Sequence, residues 1–292
     1  MAQIIAGVGC SHVPAIGAAL DLGKAEDDYW KDLFEGFKRS KELMAEIKPD
    51  VIIEVYNDHG TSFSLQYIPT FSLGVAPEFK PADEGWGPRP VPVVKGDPEF
   101  AWHLVESLIL DEFDMTIVNE MEVDHGLTVP LSLMFGQPNE WPCPVIPLCV
   151  NVVTYPPPTG KRCFALGRAI RRAVAAYKKD LRVVIFGTGG MSHQIHGERC
   201  GLINSAWDQR FLDRLSSDPH ALTEIPLLEY VREAGAEGIE MVMWLIMRGA
   251  LDDDVEEAYR FYHVPASSTA VGHIILMNRR NLGSVQSSFQ RT

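Results

Sequence analysis

The chain has 292 residues, 46% of them apolar and 22% charged, with a formal net charge of −13. That length and composition suit one large folded core and exclude a disordered or fibrous chain. The acidic balance excludes general electrostatic attraction to nucleic acid or to an anionic membrane surface.

Residues 4–8 form an apolar run without alternation that ends in glycine, the pattern of a buried strand. No basic segment and apolar signal core precede it, and no apolar stretch approaches the ~18 residues of a membrane helix, so a cytoplasmic location is expected. Apolar residues at helical spacing predict a helix over 30–47, stopped by Lys48-Pro49-Asp50, and residues 51–56 read as a second buried strand parallel to the first. Residues 69–98 are rich in proline and glycine and predict little regular structure. So long a segment is a lid, a binding loop, a subunit contact or an irregular surface excursion. A helix (99–110), strands (115–119 and 145–152), a basic helix and a strand (183–186) follow. In the basic helix, Arg168, Arg171 and Arg172 lie opposite Leu166, Ile170 and Val174, which reads as a solvated face and not as an anion site. The last third predicts helices at 205–215, 226–234 and 237–250 and a strand at 271–277, with a frayed tail after Asn278. The fold class expected is α/β, a single domain over 1–292 with a mostly parallel central sheet flanked by helices. The five cysteines (Cys10, Cys143, Cys149, Cys163 and Cys200) form no C-x-x-C pair and read as free thiols.

Four histidines follow short apolar runs and flexible turns: His12, His59, His125 and His193. If those runs are parallel strands, the imidazoles collect at the carboxyl ends, where open α/β sheets place their ligands. His12 and His59 follow the two strands of one unit and are the metal candidates. Glu240 is the expected third ligand. On a helix over 237–250 it shares an apolar stripe with Met243, Trp244 and Met247, and a carboxylate buried there needs a partner or a metal. Glu237, one turn earlier, is the competitor, though a first-turn carboxylate also complements the helix dipole. Two imidazoles and a carboxylate fit a catalytic zinc or a non-heme ferrous site, and spacing does not separate them. His125 and His193 are then free for acid and base work, or act as structural donors or alternative ligands. His103, His220, His263 and His273 carry no catalytic role in this reading, and His196, three residues after His193, stands behind the site or on the surface. Gly187-Thr188-Gly189-Gly190 lacks the ending of a phosphate loop, so its glycines are expected to serve backbone turns.

The segments Gly9-Cys10-Ser11-His12-Val13-Pro14, Asn57-Asp58-His59-Gly60, Asp124-His125-Gly126, Gly189-Gly190-Met191-Ser192-His193 and Glu237-Gly238-Ile239-Glu240 together resemble the class II extradiol ring-cleavage dioxygenases, above all the catalytic β subunits that cleave protocatechuate at its 4,5 bond. The resemblance implies that His12, His59 and Glu240 bind Fe(II), that His193 is the acid/base and that His125 orients the substrate. It also points to Ser267, in a turn meeting the substrate carboxylate, and to Asn57 beside a ligand. Gallate, 3-O-methylgallate, another catechol, or a non-enzymatic metal-binding role are the alternatives. In this family a small helical subunit or a fused domain covers the site. The sequence ends soon after its last expected strand, so the resemblance implies a helical α partner in an α2β2 assembly.

Overall fold

The computed structural model describes residues 1–281. In chain order its elements are β1 (Gln3–Cys10), α1 (Pro14–Asp21), α2 (Lys31–Gly36), α3 (Lys38–Ile47), β2 (Val51–Tyr56), β3 (Phe71–Gly74), β4 (Glu78–Pro81), β5 (Val94–Lys95), α4 (Pro98–Leu110), β6 (Thr116–Val118), β7 (Glu122–Val123), α5 (His125–Phe135), β8 (Val145–Val150), α6 (Gly160–Ala176), β9 (Arg182–Thr188), α7 (Ser205–Ser217), α8 (Pro219–Thr223), α9 (Leu227–Ala234), α10 (Trp244–Ala250), β10 (Val255–Ala266) and β11 (Thr269–Asn278). Short 3-10 helices occupy Glu237–Met243 and Arg279–Asn281.

One sheet runs in the order β10-β11-β1-β9-β2-β8-β3-β6, and β5-β4-β7 form a smaller one. β1, β9, β2 and β8 are parallel at the centre. β10 and β11 are antiparallel at one edge, and β3 runs antiparallel to β8. This is the expected α/β fold with a mostly parallel central sheet flanked by helices. Both faces of its central strands are covered. Along β2, Val51, Ile53 and Val55 pack with residues of α4, α6 and α10, whereas Ile52 and Tyr56 pack with residues of α1, α3 and α5. Burial on two sides explains why these strands read as apolar runs without alternation.

Several elements depart from the sequence reading, each for a tertiary reason. The helix predicted over 30–47 is two helices. The Gly36 carbonyl accepts a hydrogen bond from the Tyr259 hydroxyl at 2.6 Å, and a Cβ on Gly36 would sit 2.2 Å from the Phe261 ring, so β10 packs into the break. β1 and β2 are parallel, but β9 lies between them. The segment 69–98 contributes β3 to the main sheet and β4 and β5 to the small one, where little regular structure was expected. α5 was not anticipated: it is buried on every side and contains Pro130, so no amphipathic period marks it. β10, an edge strand with broken alternation, also escaped. Of the tail expected to fray after Asn278, Arg279–Asn281 form a 3-10 turn and residues 282–292 lie outside the described residues. Among the described residues no helix is long and apolar enough to cross a membrane. All five cysteines are free thiols.

Candidate metal centre

The carboxyl ends of β1, β9 and β2, three neighbouring strands, deliver His12, His193 and His59 to one rim of the sheet. His125 arrives differently. It is the first residue of α5, and the preceding strand, β7, belongs to the small sheet. Asp124 caps that helix by accepting the Gly126 N–H at 2.8 Å. The His12, His59 and His125 rings crowd together, with ligand nitrogens within 4.8 Å of one another. All three, with His193 and Glu240, line a cavity of about 480 Å³.

In each of the four rings Nδ1 is tied back to the protein, which leaves Nε2 available to the cavity. His59 Nδ1 lies 3.0 Å from Asp124 Oδ2, which also accepts the His59 main-chain N–H at 2.7 Å. Glu84 does the same for His125, accepting its main-chain N–H at 2.9 Å and facing its Nδ1 at 2.5 Å. His12 Nδ1 is 3.0 Å from the Thr188 hydroxyl. His193 Nδ1 is 2.8 Å from the Met191 carbonyl. The turn that carries His193 is pinned by Asp208 of α7, which accepts the Ser192 N–H at 3.0 Å and its hydroxyl at 2.5 Å.

Glu240 is buried and Glu237 is only half-buried, as the burial argument expects of the two carboxylates. The local geometry is not that of an α-helix, however. Residues 237–243 form a 3-10 turn in which positions three apart eclipse, so Glu237 and Glu240 share one row. Glu237 turns its Oε2 to the Ile195 N–H at 3.2 Å. Glu240 Oε2 accepts the Gly190 N–H at 2.6 Å and stands 3.2 Å from His12 Nε2, with Oε1 4.0 Å from His59 Nε2. The glycine run therefore serves the carboxylate. Gly189 has φ +136, and a Cβ there would meet Glu240 Cβ at 2.8 Å.

The electrostatics follow from this packing. Burial pushes the Glu240 carboxyl up, but the His12, His193 and His59 rings around it more than offset that and hold it well below the usual carboxylate range. Burial pulls His12 down, against the pull of Glu240. His59 is also depressed by burial, yet the Asp124 carboxylate carries it up to about 9. Asp124 in turn is held below its ordinary range, its burial outweighed by His59. His12 Nε2 is buried, and its polar neighbour is Glu240. Two Nε2 atoms and a carboxylate are a donor set that suits Fe(II) or Zn(II), and the rear hydrogen bonds orient the rings as metal-bound histidines require.

The other predicted residues divide. Asn57 lies with Nδ2 3.1 Å from His59 Nε2, and its Oδ1 is buried without a partner. Ser267 lines the cavity in the β10–β11 turn with φ +57, a left-handed conformation that costs energy outside glycine. Tyr29 holds that turn: its hydroxyl accepts the Ser267 N–H at 2.9 Å and donates to the Pro265 carbonyl at 3.2 Å. His103 and His273 are occupied by internal hydrogen bonds, and His196 is exposed. Sequence reasoning missed Asp124, Glu84, Thr188, Asp208 and Tyr29. Only Asp124 left a signal, its place beside His125.

The family described as "Catalytic LigB subunit of aromatic ring-opening dioxygenase" matches residues 6–272. A gallate dioxygenase of Pseudomonas putida is 46% identical over 198 residues, which cover 68% of this chain and 58% of that protein. A 2,3-dihydroxyphenylpropionate/2,3-dihydroxicinnamic acid 1,2-dioxygenase of Photorhabdus laumondii is 31% identical over 184 residues, 63% of this chain and 54% of that one. The chain thus spans just over half the length of these two relatives. The crystal structure of an uncharacterized protein of Escherichia coli K12 superposes with a TM-score of 0.59 at 15% identity, covering 93% of this chain and 99% of that chain, which shows the shared fold alone.

Proposed function

Since this chain belongs to the family of catalytic LigB subunits of aromatic ring-opening dioxygenases, we propose that it performs extradiol cleavage of a carboxylated polyphenol with dioxygen. The observation that carries the reading is the convergence of four imidazoles, each anchored through Nδ1, and one buried carboxylate on one cavity. His12, His59 and Glu240 would hold an Fe(II) ion. Bound there, iron would supply the electron exchange between the ring and dioxygen that zinc cannot.

The remaining groups handle protons and position. His193 gives its Nδ1–H to the Met191 carbonyl, so Nε2 keeps a lone pair to take a phenolic proton and return it as the ring opens. Asp208, gripping Ser192, holds that base in place. His125, clamped at two points by Glu84, orients the substrate. The Ser267 turn, whose serines and threonine line the cavity, would supply hydroxyl donors for the substrate carboxylate. Gallate takes the place of protocatechuate as the first substrate, on the strength of the 46% identical relative.

The reading includes a cover. Two further cavities, of about 490 and 540 Å³, meet the metal cavity at His59, and exposed Leu65, Val153, Tyr155, Ile195 and Leu228 line them. Apolar side chains gathered at a site mouth suit a docking surface. A small helical partner, in an α2β2 assembly, would cover this rim and exclude water.

Anaerobic reconstitution followed by oxygen uptake tests the reading. Fe(II)-loaded protein should consume oxygen with gallate at a higher kcat/KM than with protocatechuate or 2,3-dihydroxyphenylpropionate, and Zn(II)-loaded protein should be inert. No oxygen uptake with any catechol at stoichiometric Fe(II), with and without the candidate partner, would sink it.

A further inference from the structure

Three of the four imidazoles are backed by groups that can only accept: two carboxylates and a main-chain carbonyl. The fourth, His12, is backed by a hydroxyl, which can donate or accept. Its direction matters. If Thr188 donated to His12 Nδ1, the ring proton would move to Nε2, facing Glu240 Oε2 at 3.2 Å, and the nitrogen needed for a metal would be blocked. The Glu240 carboxylate itself favours that wrong tautomer.

The fold sets the direction. Thr188, fully buried at the end of β9, lies 3.0 Å from His12 Nδ1 and donates to the Gly126 carbonyl at 3.3 Å. That carbonyl sits in the first turn of α5, where its ordinary partner would be the amide of residue 130. Residue 130 is proline and has no N–H, so the carbonyl lacks that donor. A hydroxyl has one proton, and a carbonyl can only accept it. Oγ1 is left to accept from His12 Nδ1–H. His12 Nε2 then keeps its lone pair, against the pull of the Glu240 carboxylate 3.2 Å away.

We infer that Thr188, its hydroxyl directed by the Gly126 carbonyl that Pro130 leaves free, is a positioning residue that holds His12 in the Nδ1–H tautomer and so presents Nε2 to the metal. The inference rests on His12 being a ligand, as proposed above, and its first test needs neither metal nor substrate.

Long-range ¹H–¹⁵N correlation spectra of the metal-free protein read the tautomer of His12. Wild type should be Nδ1–H. Thr188→Val, which keeps the shape and a strand-favouring side chain, should shift His12 to Nε2–H, and Thr188→Ser should restore Nδ1–H. Anaerobic Fe(II) titration should show affinity falling about 10–100-fold in Thr188→Val and recovering in Thr188→Ser. Thr188→Ala removes the same hydroxyl with different packing and serves if the valine variant does not fold. An Nδ1–H tautomer and undiminished Fe(II) affinity without the hydroxyl would overturn the inference, whereas a failure of ring cleavage with the tautomer shift intact would count only against the proposed reaction.

Discussion

His59 and His125 stand against carboxylates, and His12 and His193 against neutral oxygens. Each pair contains one expected ligand and one expected acid/base group, so role does not explain the split. Crowding does. The His59 and His125 rings lie 4.0 Å apart, whereas His12 is 5.3 Å from His59 and 5.7 Å from His125. Two close imidazoles repel whenever both gain positive character, from protons or from a metal. Asp124 and Glu84 offset that charge from behind, which keeps the front of the cavity clear. His12 faces Glu240 directly, and a further buried carboxylate at its back would add charge with no cation to meet it.

The largest test of this comparison removes the buried carboxylate in front. Glu240→Ala should bring metal content to background and abolish ring cleavage with the fold kept, while Glu237→Ala keeps most of its metal. Metal analysis of both purified proteins decides it, and full occupancy in Glu240→Ala would refute the assignment. Next, His193→Ala should retain metal and lose about 10²–10⁴-fold in kcat, the usual cost of a lost acid/base group. A variant that arrived without metal would make His193 a ligand.

The two rear carboxylates sharpen the comparison further. Asp124→Asn should weaken metal affinity about 10–100-fold, whereas Glu84→Gln should leave affinity intact and lower turnover by about 10-fold, the low end of such outer contacts. Parallel metal titrations and steady-state rates separate them. Equal losses of metal in both would place His125 in the coordination sphere beside His59, an arrangement that its nearness to His12 and His59 permits.

The smallest effect comes from a histidine with neither kind of role. His273 is fully buried, with Nδ1 2.9 Å from the Gly9 carbonyl and Nε2 2.7 Å from the Ser40 hydroxyl, and burial lowers it to about 3. The unfolded chain takes up a proton there near pH 6.5 and the folded chain does not, so its contribution to stability is complete above that pH and erodes as pH falls toward 3. By pH 5.5 the loss should be about 1.4 kcal/mol. Denaturant melts at pH 7 and 5.5 should differ less in His273→Gln than in wild type, and an unchanged pH slope would show that this ring is not kept neutral.

The split between what was legible and what was not follows the range of the interactions. Each of the four histidines announces itself locally, by an apolar run, a turn and an imidazole, and Glu240 by a charge among apolar neighbours. These are properties of a few consecutive residues, and burying a charge or a strand is costly whatever surrounds it. The groups behind the rings have no such signature. Glu84 is 41 residues from His125, Asp124 is 65 from His59, and Thr188 is 176 from His12. Nothing in the local composition marks a carboxylate or hydroxyl as the rear partner of a particular ring.

The same holds for the backbone. By itself the sequence determined the parallel core strands, most of the helices, the histidine-bearing turns and the burial of Glu240 rather than Glu237, because hydrophobic period and burial cost act within a short window. Only the tertiary structure decided that β9 lies between β1 and β2, that Tyr259 and Phe261 break the helix at Gly36, and that α5 exists despite Pro130. It also decided which nitrogen of each imidazole meets the cavity, because a tautomer is chosen by the hydrogen bond at the ring's far side, and that partner is supplied by whichever strand, loop or helix the fold brings there.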